Sequence, residues 1–62
     1  MTSDRVSALR WSIRASVKKY GKAKTRARCQ WFLQGYVITS AADNDFLIDY
    51  KQACKDVLGG EW

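Results

Sequence analysis

Two cysteines, Cys29 and Cys54, are the strongest nucleophiles in this sequence of 62 residues, which contains no histidine. A cysteine or serine nucleophile normally needs a histidine base beside it. A tetrahedral zinc site would need carboxylates beside two cysteines that are far apart in the sequence, and such a ligand set is rare. We therefore expect neither covalent catalysis nor a metal centre, and we predict buried or partly buried free thiols.

The acidic residues do not form a general acid–base pair. Asp4, Asp43 and Asp45 stand where helices are predicted to begin, and Asp49 and Asp56 lie on a helix flank. Helix dipoles and solubility account for these positions. The glycines are spaced as breaks between elements and form no phosphate-binding loop. The sequence therefore predicts a binding protein without a cofactor, not an enzyme.

Charge is segregated along the chain. Nine of the eleven Lys and Arg residues lie between Arg5 and Arg28, whereas five of the six acids follow residue 42. Residues 29–42 carry no charge, and the formal net charge is +5. This distribution favours attraction between the two ends of the chain or between two copies, and it leaves positive charge for an acidic partner.

One run of cations could contact phosphates. Lys22, Lys24, Arg26 and Arg28 alternate with small residues, so an extended chain would project all four to one face. Trp31, Phe32 and Tyr36 could stack on bases, but they lie in the uncharged block. We therefore keep a small basic regulator that binds nucleic acid weakly and without sequence specificity as the alternative function.

A second candidate site combines aromatic and basic residues. Trp11 lies away from the apolar stripe of its predicted helix, where it can stack on a neighbouring arginine or anchor an interface. We predict an exposed apolar groove that binds another protein. It would be formed by Trp11, Trp31 and Tyr36 and rimmed by Arg10, Arg14 and Arg28.

Two outer helices must position these side chains. Residues 3–20 have an apolar stripe at three- and four-residue spacing, with Ser3 as a predicted N-cap and Gly21 after the last turn. A second helix is predicted from the capping-box pattern that begins at Ser40 to about Leu58, before Gly59. Three cations of the first helix and three acids of the second form two complementary ridges: Arg10, Arg14 and Lys18, and Asp45, Asp49 and Asp56.

The middle of the chain has two interpretations. Aromatic and β-branched residues favour a strand, most securely over residues 36–39 and extending back to about Arg28, interrupted by Gly35. The alternative is a short helix over about residues 22–34. A lone strand would need a second copy to pair with its backbone groups. We therefore predict an α+β, mostly helical fold, a helix–strand–helix protomer in an intertwined homodimer, with an all-α three-helix bundle as the alternative.

The chain is predicted to form one small domain over residues 1–62. The predicted core is apolar and aromatic: Val6, Leu9, Ile13, Val17, Phe32, Val37, Ile38, Phe46, Leu47, Tyr50, Val57 and Leu58. A domain of this size buries only about 60% of its unfolded surface, which favours oligomerisation. The sequence shows no signal peptide or membrane-spanning segment, so we expect a cytoplasmic protein with no membrane partner.

In its size, its charge and the order of its segments, the chain resembles the small early proteins of temperate phages. A basic amphipathic helix precedes the segment WFLQGYVITSA, and the acidic helix NDFLIDYKQACKDVL follows. The resemblance is to the short reading frames in the exo–xis region of lambdoid phages. It implies a non-enzymatic homodimer that promotes lytic development through contacts with a host or phage protein in the bacterial cytoplasm.

Overall fold

The computed structural model describes residues 4–62, which form three helices. They are α1 (Asp4–Tyr20), α2 (Lys22–Gly35) and α3 (Ala41–Leu58). The predicted outer helices are confirmed to within a residue or two at their ends, and the proposed cap Ser3 lies outside the described residues. The mostly helical character is confirmed, in the form of the all-α alternative.

The predicted strand is wrong. Residues 28–35 belong to α2, and residues 36–39 form a connection with no strand partner within the described chain. The reason is that Lys22–Gly35 is rich in good helix formers, while Thr25, Cys29 and Phe32 recur at helical spacing and face the core. The β-branched residues that suggested a strand all follow Gly35. The strand-paired, intertwined dimer therefore loses its basis.

Helix α1 packs mainly against α3, and the two run parallel. Ion pairs set this register, with Arg5 at 3.5 Å from Asp49 and Arg10 at 3.4 Å from Asp56. Basic residues of α1 therefore do meet acidic residues of α3, but within the described residues only Arg10 of the predicted basic ridge forms an ion pair. Exposed pairs of this kind stabilise a fold by about 0–1 kcal/mol each, so the pairs specify register more than stability.

A small core lies where the three helices meet. Its buried apolar residues come from all of them: Val6, Ile13, Cys29, Ala53, Cys54 and Leu58. Leu9, Val17, Tyr50 and Val57 pack partly buried against it. Two predicted core residues are exposed instead, Val37 at 72% and Ile38 at 49%. Both lie in the connection after α2, which does not reach the core.

The ends of α3 are closed by specific contacts. The Ser40 hydroxyl accepts a hydrogen bond from the Asp43 amide (3.2 Å), as the predicted capping box requires. The Asp43 carboxylate accepts from the Thr39 amide (3.0 Å) instead of that of Ser40. At the other end, Arg26 of α2 donates to the carbonyl of Leu58 (2.6 Å). The first turn of α3 is therefore bonded to the preceding connection, and its last turn is bonded to α2.

Candidate partner-binding groove

An open groove of about 470 Å³ lies between α1 and α2, with α3 as its floor. Each helix contributes one side: Leu9, Ser12, Ile13 and Ser16 from α1, Thr25, Arg28, Cys29, Trp31 and Phe32 from α2, and Phe46 and Tyr50 from α3. Helices α1 and α2 are joined by the single residue Gly21, at one end of the groove. There the Ser16 and Thr25 hydroxyls are hydrogen-bonded at 3.2 Å.

The groove continues along α2 in both directions. A second depression of about 420 Å³ shares Trp31 and Phe32 and extends to Tyr36. A smaller one of about 180 Å³ shares Arg28 and extends to Lys24 and Tyr20. The exposed surface of α2 is therefore apolar near its carboxyl end and basic near its amino end.

Aromatic rings form the floor beside Trp31. Phe32 lies 4.8 Å from Tyr50 and 5.4 Å from Tyr36 between ring centroids, and Tyr36 stacks on Phe46 at 5.8 Å. The Arg5 guanidinium covers the outer side of Phe46 at 5.9 Å. Contacts between several rings favour one fixed arrangement, so this floor is formed before any partner binds.

The pKa values of four groups in, beneath or beside the groove are shifted in the direction that favours the protonated thiol and phenols and the ionised carboxylate. Burial raises the pKa of the Cys54 thiol to about 12, and the neighbouring Cys29 adds to the shift. Burial and then Cys29 also raise the pKa of the Tyr50 hydroxyl. Hydrogen bonds from Thr39 lower the pKa of the Asp43 carboxyl. Desolvation, with the Asp43 charge second, raises the pKa of Tyr36.

Both cysteines belong to the buried core. The prediction that both cysteines are buried is confirmed, and both are free thiols. Cys54 is fully buried and stays protonated near neutral pH, so it is a poor nucleophile. Within residues 4–62 no group of three His, Cys, Asp or Glu side chains is placed to hold a metal ion.

The structure divides the predicted partner site. Arg28, Trp31 and Tyr36 lie together along the groove. Trp11, Arg10 and Arg14 do not line it, because they project from other sides of α1. Arg10 is engaged with Asp56 and Ser7, and Trp11 is 73% exposed.

The predicted phosphate-binding run is also divided. Lys22, Lys24, Arg26 and Arg28 lie on a helix and not on a strand, so they point to different sides of α2. Arg26 is committed to α3 and to the ring of Trp62 (5.3 Å). Lys24 and Arg28 share a face with Trp31, and Lys22 lies away from them.

Sequence reasoning missed the α1 side of the groove and the buried hydroxyl of Thr25. Leu9 was assigned to the core, and Ser12 and Ser16 were given no role. A helical interpretation of residues 22–35 would have found the α2 side, because Thr25, Cys29 and Phe32 then fall on one stripe.

No protein-family model matches this chain, and neither a curated protein nor a solved structure matches it. None of the three helices of the described chain is both long enough and apolar enough to cross a bilayer.

Proposed function

We propose that this protein is a non-enzymatic regulator that binds a segment of another protein in the groove between α1 and α2. The observation that carries the proposal is Trp31, which is 76% exposed beside a preformed aromatic floor. An exposed tryptophan at the edge of an apolar depression is the usual arrangement of an interface anchor.

The chemistry of the groove favours an acidic amphipathic helix as the bound segment. Its apolar side would pack on Phe32 and Tyr50, as in other helix-in-groove complexes. Its acidic side would face Arg28 and Lys24, neither of which forms an ion pair within the described chain. Charge complementarity of this kind sets the orientation of the partner and speeds association.

The biological setting of the proposal rests on the resemblance to small early phage proteins. In that setting the partner is a host or phage protein in the bacterial cytoplasm, and its capture promotes lytic development. We also propose that the protein acts as a homodimer. This part of the proposal no longer depends on strand pairing. It is supported by the exposed apolar side chains of Val37 and Ile38, which a second copy would cover.

Two tryptophans of nearly equal exposure provide a matched test. Affinity capture from producing cells, quantified by mass spectrometry, would compare the wild type with Trp31→Ala and Trp11→Ala. We expect a partner that the wild type and Trp11→Ala retain and that Trp31→Ala loses. With the purified partner, loss of an interface anchor worth about 2 kcal/mol weakens binding about 30-fold.

A charge reversal tests the orientation of the bound segment. Arg28→Glu should weaken binding of the same partner, whereas Lys51→Glu on the outer side of α3 should not. If Trp11→Ala and Trp31→Ala behave alike, or if Arg28→Glu binds as well as the wild type, the groove is not the binding site. Circular dichroism of each variant verifies that the helices are retained.

A further inference from the structure

Cations without an acidic partner are concentrated at the end of the molecule where α1 meets α2. Within the described chain, only Arg5 and Arg10 form ion pairs, both with α3. Lys18 and Lys19 lie in the last turn of α1. Lys22 and Lys24 follow in the first turn of α2, which contains no acid. Four like charges therefore lie within one helical turn of Gly21, and we call them the lysine cluster.

The backbone beneath the lysine cluster is rigidly tied. Gly21 adopts a φ of +92° and donates to the Val17 carbonyl at 2.8 Å. Its own carbonyl accepts from both the amide (3.1 Å) and the hydroxyl (2.8 Å) of Thr25, which is buried. These bonds and the Ser16–Thr25 hydrogen bond hold the two helix ends together, so the four lysines lie at one end of the molecule although they project to different sides of it. A bound anion would offset this concentration of like charge.

We propose that the lysine cluster binds the phosphate backbone of double-stranded nucleic acid without reading its sequence. This surface shares Lys24 with the basic end of the groove but does not include Trp31 or the aromatic floor, so the inference goes beyond the proposed function. It also differs from the phosphate-binding residues predicted from the sequence. Arg26 is hydrogen-bonded to α3 and is left out, whereas Lys18 and Lys19 of α1 are added.

The surroundings of the lysine cluster favour nucleic acid over an acidic protein or a membrane. A protein interface needs an apolar core that is poor in lysine, and a membrane surface needs apolar residues to insert. Here the intervening residues are Tyr20, Gly21 and Ala23, and Lys19 covers the ring of Tyr20 at 5.2 Å. Backbone binding requires only positive charge, and the formal net charge of +5 supplies long-range attraction.

Base reading is not expected, because Lys19 covers the ring of Tyr20 and the exposed aromatic groups of the groove lie elsewhere. Trp31 and Tyr36 are at the opposite end of α2. Glu61 is the one acid in the tail, whose Trp62 packs beside Arg26. It reduces the positive charge at this end without removing it.

The test is fluorescence anisotropy with a labelled 20-base-pair DNA duplex over a series of NaCl concentrations. Four phosphate contacts predict a slope of about −3.6 in a plot of log K against log salt. Lys18→Gln/Lys22→Gln should reduce the magnitude of this slope by about 2 and weaken binding at least about 10-fold at low salt. A duplex of permuted sequence should bind equally well.

The matched control is Lys51→Gln, compared with Lys22→Gln alone. It removes the same single charge from α3, about two turns before the carboxyl end of that helix. It should change affinity by less than about 3-fold, because screening over about 8–10 Å removes the influence of distant charges. Trp31→Ala should leave duplex binding unchanged, which separates this proposal from the groove. Lys18→Arg/Lys22→Arg should bind like the wild type.

Equal losses in Lys22→Gln and Lys51→Gln would overturn the proposal, since net charge alone would then explain binding. Tighter binding to polyglutamate or to phosphatidylserine-containing vesicles than to the duplex at the same salt would also overturn it. All four lysines are exposed, so unfolding is not an expected cause of lost affinity, and circular dichroism checks this directly.

Discussion

At the scale of single residues, Arg26 holds the carboxyl end of α3. The last carbonyls of a helix have no partner within the helix and need one from elsewhere. The Arg26 guanidinium donates to the carbonyls of Leu58 (2.6 Å) and Gly59 (3.2 Å) and lies over Trp62. A cation at this position is also favoured by the helix dipole. Arg26 is therefore a structural residue, whereas its neighbours Lys24 and Arg28 form no ion pair within the described residues.

Replacement of Arg26 by Ala should lower the free energy of unfolding by about 1.5–3 kcal/mol, the usual contribution of hydrogen bonds from a charged group. Arg26→Lys should fall between this variant and the wild type, because lysine lacks the planar fork. Urea unfolding followed by circular dichroism measures the change. Arg14→Ala, at an exposed arginine with no such contact, is the control and should cost less than about 0.5 kcal/mol.

Cys54 gives the stability of the protein a dependence on alkaline pH. Its folded pKa is raised to about 12, whereas an unfolded cysteine titrates near about 8.5. The folded state therefore retains a proton that the unfolded chain releases. The stabilisation is fully present below about pH 8 and is lost as the pH rises towards about 12.

The expected result is that the wild type loses stability between pH 9 and pH 11 faster than Cys54→Ala does. Urea unfolding of both proteins at several pH values measures this difference, because titrating groups that do not interact with Cys54 contribute equally to both. Parallel pH profiles would show that Cys54 ionises as readily in the folded protein as in the unfolded chain.

At the scale of elements, two glycines have opposite roles around α2. Gly21 has a φ of +92° and allows α1 and α2 to be joined by one residue. Gly35 ends α2 with an ordinary helical backbone, and a methyl group added there would meet open space. The conformational freedom of glycine is needed at the first position and only weakens the helix at the second.

The same substitution should therefore have opposite effects at the two positions. Gly21→Ala should destabilise the protein by about 1–3 kcal/mol, because a positive φ combined with an extended ψ is accessible essentially only to glycine. Gly35→Ala should stabilise it by up to about 1 kcal/mol through helix propensity. Thermal or urea unfolding measures both changes, and each variant controls for the other. A stabilising Gly21→Ala would contradict the role given to this turn.

At the scale of the whole molecule, a chain with a small core leaves large apolar side chains on its surface. Val37 and Ile38 lie exposed beyond the Tyr36 end of the groove, where a second copy could cover them. The homodimer remains a prediction, now placed on this connection and not on a paired strand. In this arrangement the Arg28 end of the groove stays open to a partner.

We expect light scattering to give twice the 7.1 kDa mass of the chain at micromolar concentration. Val37→Asp/Ile38→Asp should yield monomers, because two charges would be buried without partners. Ile48→Asp changes an exposed residue of α3, whose exposure (56%) lies between those of Val37 and Ile38, and should leave the dimer intact. A monomeric wild type would show that the prediction is wrong.

The local sequence was sufficient for the outer helices and for the cap at Ser40. Those features depend on residues three or four positions apart, whose preferences act within the same element. It was also sufficient to mark Arg28, Trp31 and Tyr36 as surface candidates. It could not determine whether residues 22–39 form a helix or a strand, because helix-forming and strand-forming residues are adjacent there.

Only the tertiary structure decided that segment and the sites that depend on it. Packing of Thr25, Cys29 and Phe32 against α1 and α3 selects a helix for residues 22–35. Because these residues form a helix, the alternating cations of residues 22–28 point to different sides, Arg26 is hydrogen-bonded to α3, and Trp31 lies beside the groove. Such outcomes depend on contacts between residues distant in sequence, and local preference carries no information about those contacts.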